Sequence, residues 1–185
     1  MIRTIYLDLD GVLADFVRGC FQHFGRTLPM SDVGWNFFRD WGMTEQEFWT
    51  HTTFSFWAKL PWTPEGRDLL DGLRTLTDRP LVILTSPAPR QGCTEGKLDW
   101  LRQHLPDFIR QGRVFIGSAK HHLAAPDKLL IDDHDADVER FRQQGGAAVL
   151  VPRPWNARKA LTCSEGGFDV PALLSEIRIY LEATR

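Results

Sequence analysis

Cysteine is scarce in this chain: Cys20, Cys93 and Cys163 are the only three among 185 residues, far apart and without a CxxC pair. That usage argues against a disulfide framework or a thiolate metal site, and for incidental thiols in a reducing compartment. A surplus of basic charge is also missing. The 22 Lys and Arg set against 24 Asp and Glu leave a net charge of −2, mixed along the chain. There is no broad basic footprint for a nucleic-acid polymer or a membrane surface. No apolar run is long enough to span a bilayer, and the opening MIRTIYLDLD passes straight into a strand-like stretch without the apolar core of a secretory signal. The expectation is a cytoplasmic protein without a membrane partner. What is present is ordinary: 43% hydrophobic residues and no low-complexity segment, enough for one domain with a substantial core, or a core with a small insertion.

Five short apolar runs read as buried strands, at 4–9, 81–85 (LVILT), 114–116, 129–132 (LLID) and 147–151. None alternates strictly, as expected when both faces of a sheet are covered. Helical periodicity lies between them. TPEGRDLLDGLRTL offers Thr63 as an N-cap with Pro64 at the first helical position, and 94–105, 137–144 and 170–183 repeat apolar residues three and four apart. Strands alternating with helices predict an α/β fold, a Rossmann-like doubly wound parallel sheet whose ligands sit beyond the carboxyl ends of the strands.

Residues 17–62 break the alternation and carry no strand signal. From Trp35 to Trp62 the chain holds five of its seven tryptophans and five of its twelve phenylalanines, and Thr44 with Glu47 forms a capping-box pattern. The segment reads as a small helical cap inserted after the first strand, with residues 1–16 and 63–185 forming the core. So many rings in so short a stretch cannot all be buried, and some are expected to face the cleft.

Chemistry concentrates at three strand ends. Asp8 and Asp10 close the first run (TIYLDLDG), Thr85 and Ser86 the second (LTSP), Asp132 and Asp133 a later one (LLIDD). Either acidic pair alone could cap a turn. Together they crowd like charges into one crevice, where some must be protonated unless a cation joins them. A hard divalent ion with oxygen ligands, Mg²⁺ above all, fits that demand, and it commonly takes carboxylates together with a phosphate. The hydroxyls of Thr85 and Ser86 suit phosphate oxygens, and a lysine would complete the charge balance.

DLDGVL, the Thr85–Ser86 pair, a following lysine and the Asp132–Asp133 pair resemble the four motifs of the haloacid dehalogenase superfamily of phosphohydrolases. DLDGVLADF with LTSP and LLIDD is similar, more narrowly, to the 5'(3')-deoxyribonucleotidases and their bacterial and phage relatives. The resemblance implies a haloacid dehalogenase-like fold and a Mg²⁺-dependent phosphatase. Asp8 would be the nucleophile that becomes an aspartyl-phosphate, and Asp10 the acid that protonates the leaving oxygen and then activates water. Asp8, the main-chain carbonyl of Asp10, and Asp133 would hold the metal, with Asp132 acting from behind, and Gly11 would let the chain turn sharply. Lys120 (GSAKHH) is favoured as the motif lysine over Lys128, at a strand entrance, and Lys97, on a helix of unknown facing. Phe16 matches a base-contacting position, Trp35, Asn36 and Phe37 in GWNFF resemble the closing cap segment, and Phe56 is a further candidate. His134 departs from the pattern, which has arginine there. Trp155 and Asn156 (VPRPWNARK) read either as a cleft wall or as part of a rigid Pro-rich loop.

The substrate implied is a small phosphorylated metabolite, a nucleoside monophosphate in the leading reading and its deoxy form within that. A sugar phosphate is the alternative within the same chemistry, and a non-catalytic phosphate-ligand binding protein is the alternative from another class. Asp10 argues against the last, because a pure binder has no use for an acid there. Exposed cap aromatics leave a homodimer contact open.

Overall fold

A computed structural model of the chain describes residues 1–29, 33–163 and 166–183. Five strands, β1 (Thr4–Leu7), β2 (Leu81–Thr85), β3 (Val114–Ile116), β4 (Lys128–Asp132) and β5 (Ala147–Leu150), form one parallel sheet in the order β3-β2-β1-β4-β5. The chain fills one side of β1 first and then crosses to the other, so the strand order reverses around β1. In an open α/β sheet that reversal opens a crevice at the carboxyl ends. Every residue of β2, and all but the first of β1 and β4, is buried, which is why these strands read as continuous apolar runs.

Eight α-helices are described: α1 (Phe16–His23), α2 (Glu45–His51), α3 (Phe54–Ala58), α4 (Gly66–Leu76), α5 (Cys93–His104), α6 (Pro106–Arg110), α7 (Asp135–Gln143) and α8 (Val170–Glu182). The first three and a 3₁₀ turn at Phe37–Trp41 fall between β1 and α4. Thr44 caps α2 as expected: its hydroxyl accepts the Glu47 amide, and the Glu47 carboxylate accepts the Thr44 amide.

Most element boundaries shift by one or two residues from the sequence expectation, and two of the shifts bear on the cleft. The first strand stops at Leu7 rather than residue 9, because the Leu9 carbonyl turns to accept the amides of Leu13 and Ala14 and the chain curls into a tight loop. The fourth helix begins at Gly66, not Pro64, with Glu65 at its cap. Thr63 is drawn away instead: its hydroxyl donates to the Val12 carbonyl at 2.8 Å and its amide to the Leu13 carbonyl at 2.7 Å. With the Asp15 amide on the Pro61 carbonyl at 2.7 Å, these bonds stitch residues 61–63 to residues 12–15, beside the first acidic pair.

Candidate active site

Asp8, Asp10, Ser86, Lys97, Lys120, Asp133, His134 and Asp137 line one cleft of about 250 Å³, together with Phe16, Trp35, Trp49, Trp57 and residues 87–89. The strand ends supply the acids. Asp8 directly follows β1, Asp132 ends β4, and Asp133 follows it. Gly11 makes the close approach of the two acidic segments feasible. Its φ is +73°, and a Cβ there would lie 2.1 Å from Asp133 Oδ2, so a side chain at residue 11 would displace that carboxylate.

Lys120, 3% exposed, sits between Asp8 (Nζ to Oδ1, 2.8 Å) and Asp132 (Nζ to Oδ2, 2.7 Å), with Asp137 at 3.8 Å. Burial disfavours its charge, but Asp132 and Asp8 more than offset this and hold the ammonium above the ordinary lysine range. Asp132 is fully engaged, since its Oδ1 also accepts the His134 amide at 2.9 Å. Lys128, by contrast, bonds Thr4 and Asp127 at the entrance of β4, away from the cleft.

A second buried lysine stands beside the first. Lys97, 1% exposed, donates to Asp10 Oδ2, to Thr85 Oγ1 at 3.0 Å and to the Ser86 carbonyl. It comes from α5, whose buried face is Cys93, Gly96, Lys97, Trp100 and Leu101. That spacing was a signal available in the sequence: a lysine in register with an apolar stripe, on the helix that follows LTSP. Gly96 lets α3 pack closely on α5, as a Cβ there would lie 2.6 Å from Trp57 Cβ, and the Trp57 ring then covers Lys97 Nζ at 5.0 Å.

The acids respond to this crowding. Burial raises the pKa of Asp10, Lys97 opposes without cancelling it, and the charge of Asp8 adds to the rise. Burial also pushes Asp132 up to about 6 despite Lys120. Asp133 lies well above the usual carboxylate range through burial and the charges of Asp132 and Asp8. Asp8, Asp132 and Asp133 each offer an oxygen, these atoms lie within 4.8 Å of one another, and all three residues are buried. With all three ionised, as a bound cation requires, their three negative charges would face the ammonium of Lys120. The remaining two match a divalent cation, and the all-oxygen donor set fits a hard one.

Arg153, which the sequence reading missed, braces this floor. Buried at the end of the VPR segment, it donates through Nε to the Gly11 carbonyl at 2.6 Å. Its Nη1 donates to Glu65 Oε2 at 3.1 Å and to the Gly166 carbonyl at 3.2 Å.

The aromatic candidates divide. Phe16 and Trp35 line the cleft, but Phe16 is itself buried, its ring stacked near Trp57 (5.3 Å between centroids) and Trp49 (6.1 Å). Trp35, 44% exposed, is the more open face. Asn36, Phe37 and Phe56 are not among the cleft-lining residues. Phe37 is buried against Phe21, Trp41 and Phe48, Phe56 packs on Phe16, His23 and Trp57, and Asn36 is exposed. Trp49 and Trp57, passed over in the sequence, take the lining positions.

The fold recurs in haloacid dehalogenase-type hydrolases. A haloacid dehalogenase-like hydrolase family protein from Streptococcus pneumoniae aligns with a TM-score of 0.52 at 17% identity, over 95% of this chain and 90% of that one. A hydrolase of that family from Deinococcus radiodurans, with bound phosphate and sodium, gives 0.52 at 14% identity over 98% and 96%. L-2-haloacid dehalogenase from Xanthobacter autotrophicus gives 0.50 at 15% over 87% and 81%. At such identities the likeness establishes the fold and leaves the reaction to the site. Residues 1–163 match the family model described as 5' nucleotidase, deoxy (pyrimidine), cytosolic type C protein, and the chain belongs to that family. It is a phosphoric monoester hydrolase.

Proposed function

We propose that this chain is a Mg²⁺-dependent phosphatase of nucleoside monophosphates, deoxyribonucleotides among them, working through an aspartyl-phosphate on Asp8. The observation that carries the reading is the pairing of two buried acid–lysine contacts on the cleft floor with a wall of four aromatic side chains. The floor suits a phosphate and the wall suits a flat ring, and a stacked base gains ~1–3 kcal/mol per aromatic contact. The matched family's description names 5'-nucleotidases and the cytosol, which favours a nucleotide substrate and a cytoplasmic location for this chain too.

Lys120 orients Asp8 through its 2.8 Å contact, so one carboxylate oxygen can attack phosphorus in line with the leaving oxygen. Asp10, its pKa raised, delivers a proton to that oxygen and then takes one from the water that hydrolyses the acyl phosphate. Lys97 anchors the Asp10 carboxylate and presents positive charge to the phosphoryl oxygens beside Ser86. Thr85 is buried beneath it and acts by holding Lys97. Asp8, the Asp10 carbonyl and Asp133 would hold the ion, with Asp132 fixing Lys120. When bound, the ion supplies charge neutralisation to the phosphoryl group. Residues 17–62 act as the cap that carries the aromatic wall, and Trp35, Trp49, Trp57 and the edge of Phe16 enclose the base.

The test is a turnover screen over ribo- and deoxyribonucleoside 5'- and 3'-monophosphates, sugar phosphates and an aryl phosphate, with Mg²⁺ and with chelator. Preference for nucleotides by tenfold or more in kcat/KM is expected, with activity lost in chelator. Equal rates on sugar phosphates would defeat the nucleotide assignment.

A further inference from the structure

Asp133 is held from three directions. Its Oδ2 accepts a hydrogen bond from Trp155 Nε1 at 2.7 Å. Its main-chain carbonyl accepts Asn156 Nδ2 at 2.8 Å, and the same amide group donates to the Val151 carbonyl at 2.7 Å, tying the loop to the end of β5. From beneath, the bare Cα of Gly11 leaves the space that Oδ2 occupies. Two of these restraints come from the PRPWN loop, which the catalytic steps do not use.

A carboxylate rotates in a broad torsional well, so its plane is poorly set by the backbone alone. An indole N–H is a donor only, on a rigid ring, and a bond to one oxygen fixes that plane. The pairing is not forced by a need to satisfy the indole. Trp155 is only partly buried, so water could serve it, and elsewhere in the protein Trp62 Nε1 is buried with no partner among the described residues. The bond occupies Oδ2, while Oδ1 accepts no hydrogen bond among the described residues and remains as the oxygen for an ion. Groups that orient a metal's ligands from behind tune how tightly the ion is held.

We infer that Trp155 is a positioning residue for the divalent ion, its indole N–H turning the Asp133 carboxylate so that the other oxygen faces Asp8. The inference rests on the proposed reading of the acidic cluster as the metal site, and it does not depend on which phosphomonoester is cleaved.

The experiment titrates Mg²⁺ alone, without substrate, into the parent and into Trp155→Phe, which keeps a ring and removes the donor. Isothermal calorimetry should show the dissociation constant raised ~10–100-fold, the range for lost outer-shell partners. Melting temperature in chelator should stay within a few degrees of the parent. At saturating Mg²⁺, kcat and substrate KM should return to within a few-fold. An unchanged Mg²⁺ affinity overturns the inference, as does a kcat loss that saturating Mg²⁺ does not repair. A parent that binds no divalent ion overturns instead the metal reading beneath it. If the phenylalanine variant does not fold, the parent compared with Asp133→Asn decides. Among its indole ¹⁵N–H resonances, one should move both on Mg²⁺ addition and in Asp133→Asn without metal, and the absence of any such resonance rejects the proposal.

Discussion

The floor of the cleft is held by directional bonds between few partners, whereas its wall is held by many rings in loose mutual contact. On the floor, Lys120 lies 2.8 Å and 2.7 Å from two named carboxylate oxygens, and Arg153 reaches Gly11 at 2.6 Å. On the wall, Phe16 alone stands within about 6 Å of Trp35, Trp49, Phe48, Phe56 and Trp57, at interplanar angles from 13° to 88°. Ion pairs in a buried site fail when one partner is lost, because the remaining charge is stranded. Ring clusters lose contact area and repack. Changes on the floor should therefore abolish chemistry, and changes on the wall should retune it.

The largest effect should come from Asp8→Asn, which keeps size and polarity but removes the proposed nucleophile. A fall in kcat on the order of a thousandfold or more, with an unchanged circular dichroism spectrum, is expected, and near-normal turnover would break the contrast at once. Lys97→Met should cost about a hundredfold in kcat, within the range for disturbed acid–base catalysis. Its sign in pH is defined: Lys97 holds the Asp10 pKa down against burial. Removing it raises that pKa, so the alkaline limb of kcat/KM, where Asp10 loses its proton, should move to higher pH. On the wall, Trp49→Leu should raise the nucleotide KM roughly fivefold, about 1 kcal/mol of stacking, and leave kcat within a few-fold.

The smallest readout is stability against pH. Asp132 and Asp133 have raised folded pKa values, so the folded chain holds more protons than the unfolded one between the ordinary carboxylate range and about 6 or above. Stability then falls as pH rises through that window. Because an ion binds the deprotonated acids, the gap in melting temperature between Mg²⁺-loaded and chelated protein should widen from pH 5 to pH 8, by a few degrees.

The same contrast governs what could be read from the sequence. Asp8, Asp10, Asp132 and Asp133 stand out because each interrupts or ends an apolar run, and a parallel sheet carries all such ends to one edge. The strand cores and the helix-strand alternation were legible for the same reason. Lys97 and Trp155 were legible only as alternatives: the apolar stripe of α5 places Lys97 on its buried face without saying what that face meets, and Trp155 depends on a loop that folds back across the sheet end. The wall was least legible. With α2 and α3 only seven and five residues long, neither completes enough turns for an apolar stripe to declare its direction. Phe56, and Phe37 in the preceding 3₁₀ turn, therefore looked no different from Trp49 and Trp57, and only packing separates the phenylalanines, which face other rings, from the tryptophans, which line the cleft.

The stitch between residues 12–15 and 61–63 has a consequence for how such a protein diversifies. The departing and returning strands of the long excursion are clasped to each other, beside the reactive loop, before the excursion begins. Whatever lies in between inherits the same anchorage, as interchangeable heads fit one handle, so its length and composition can change while the loop that carries Asp10 keeps its shape.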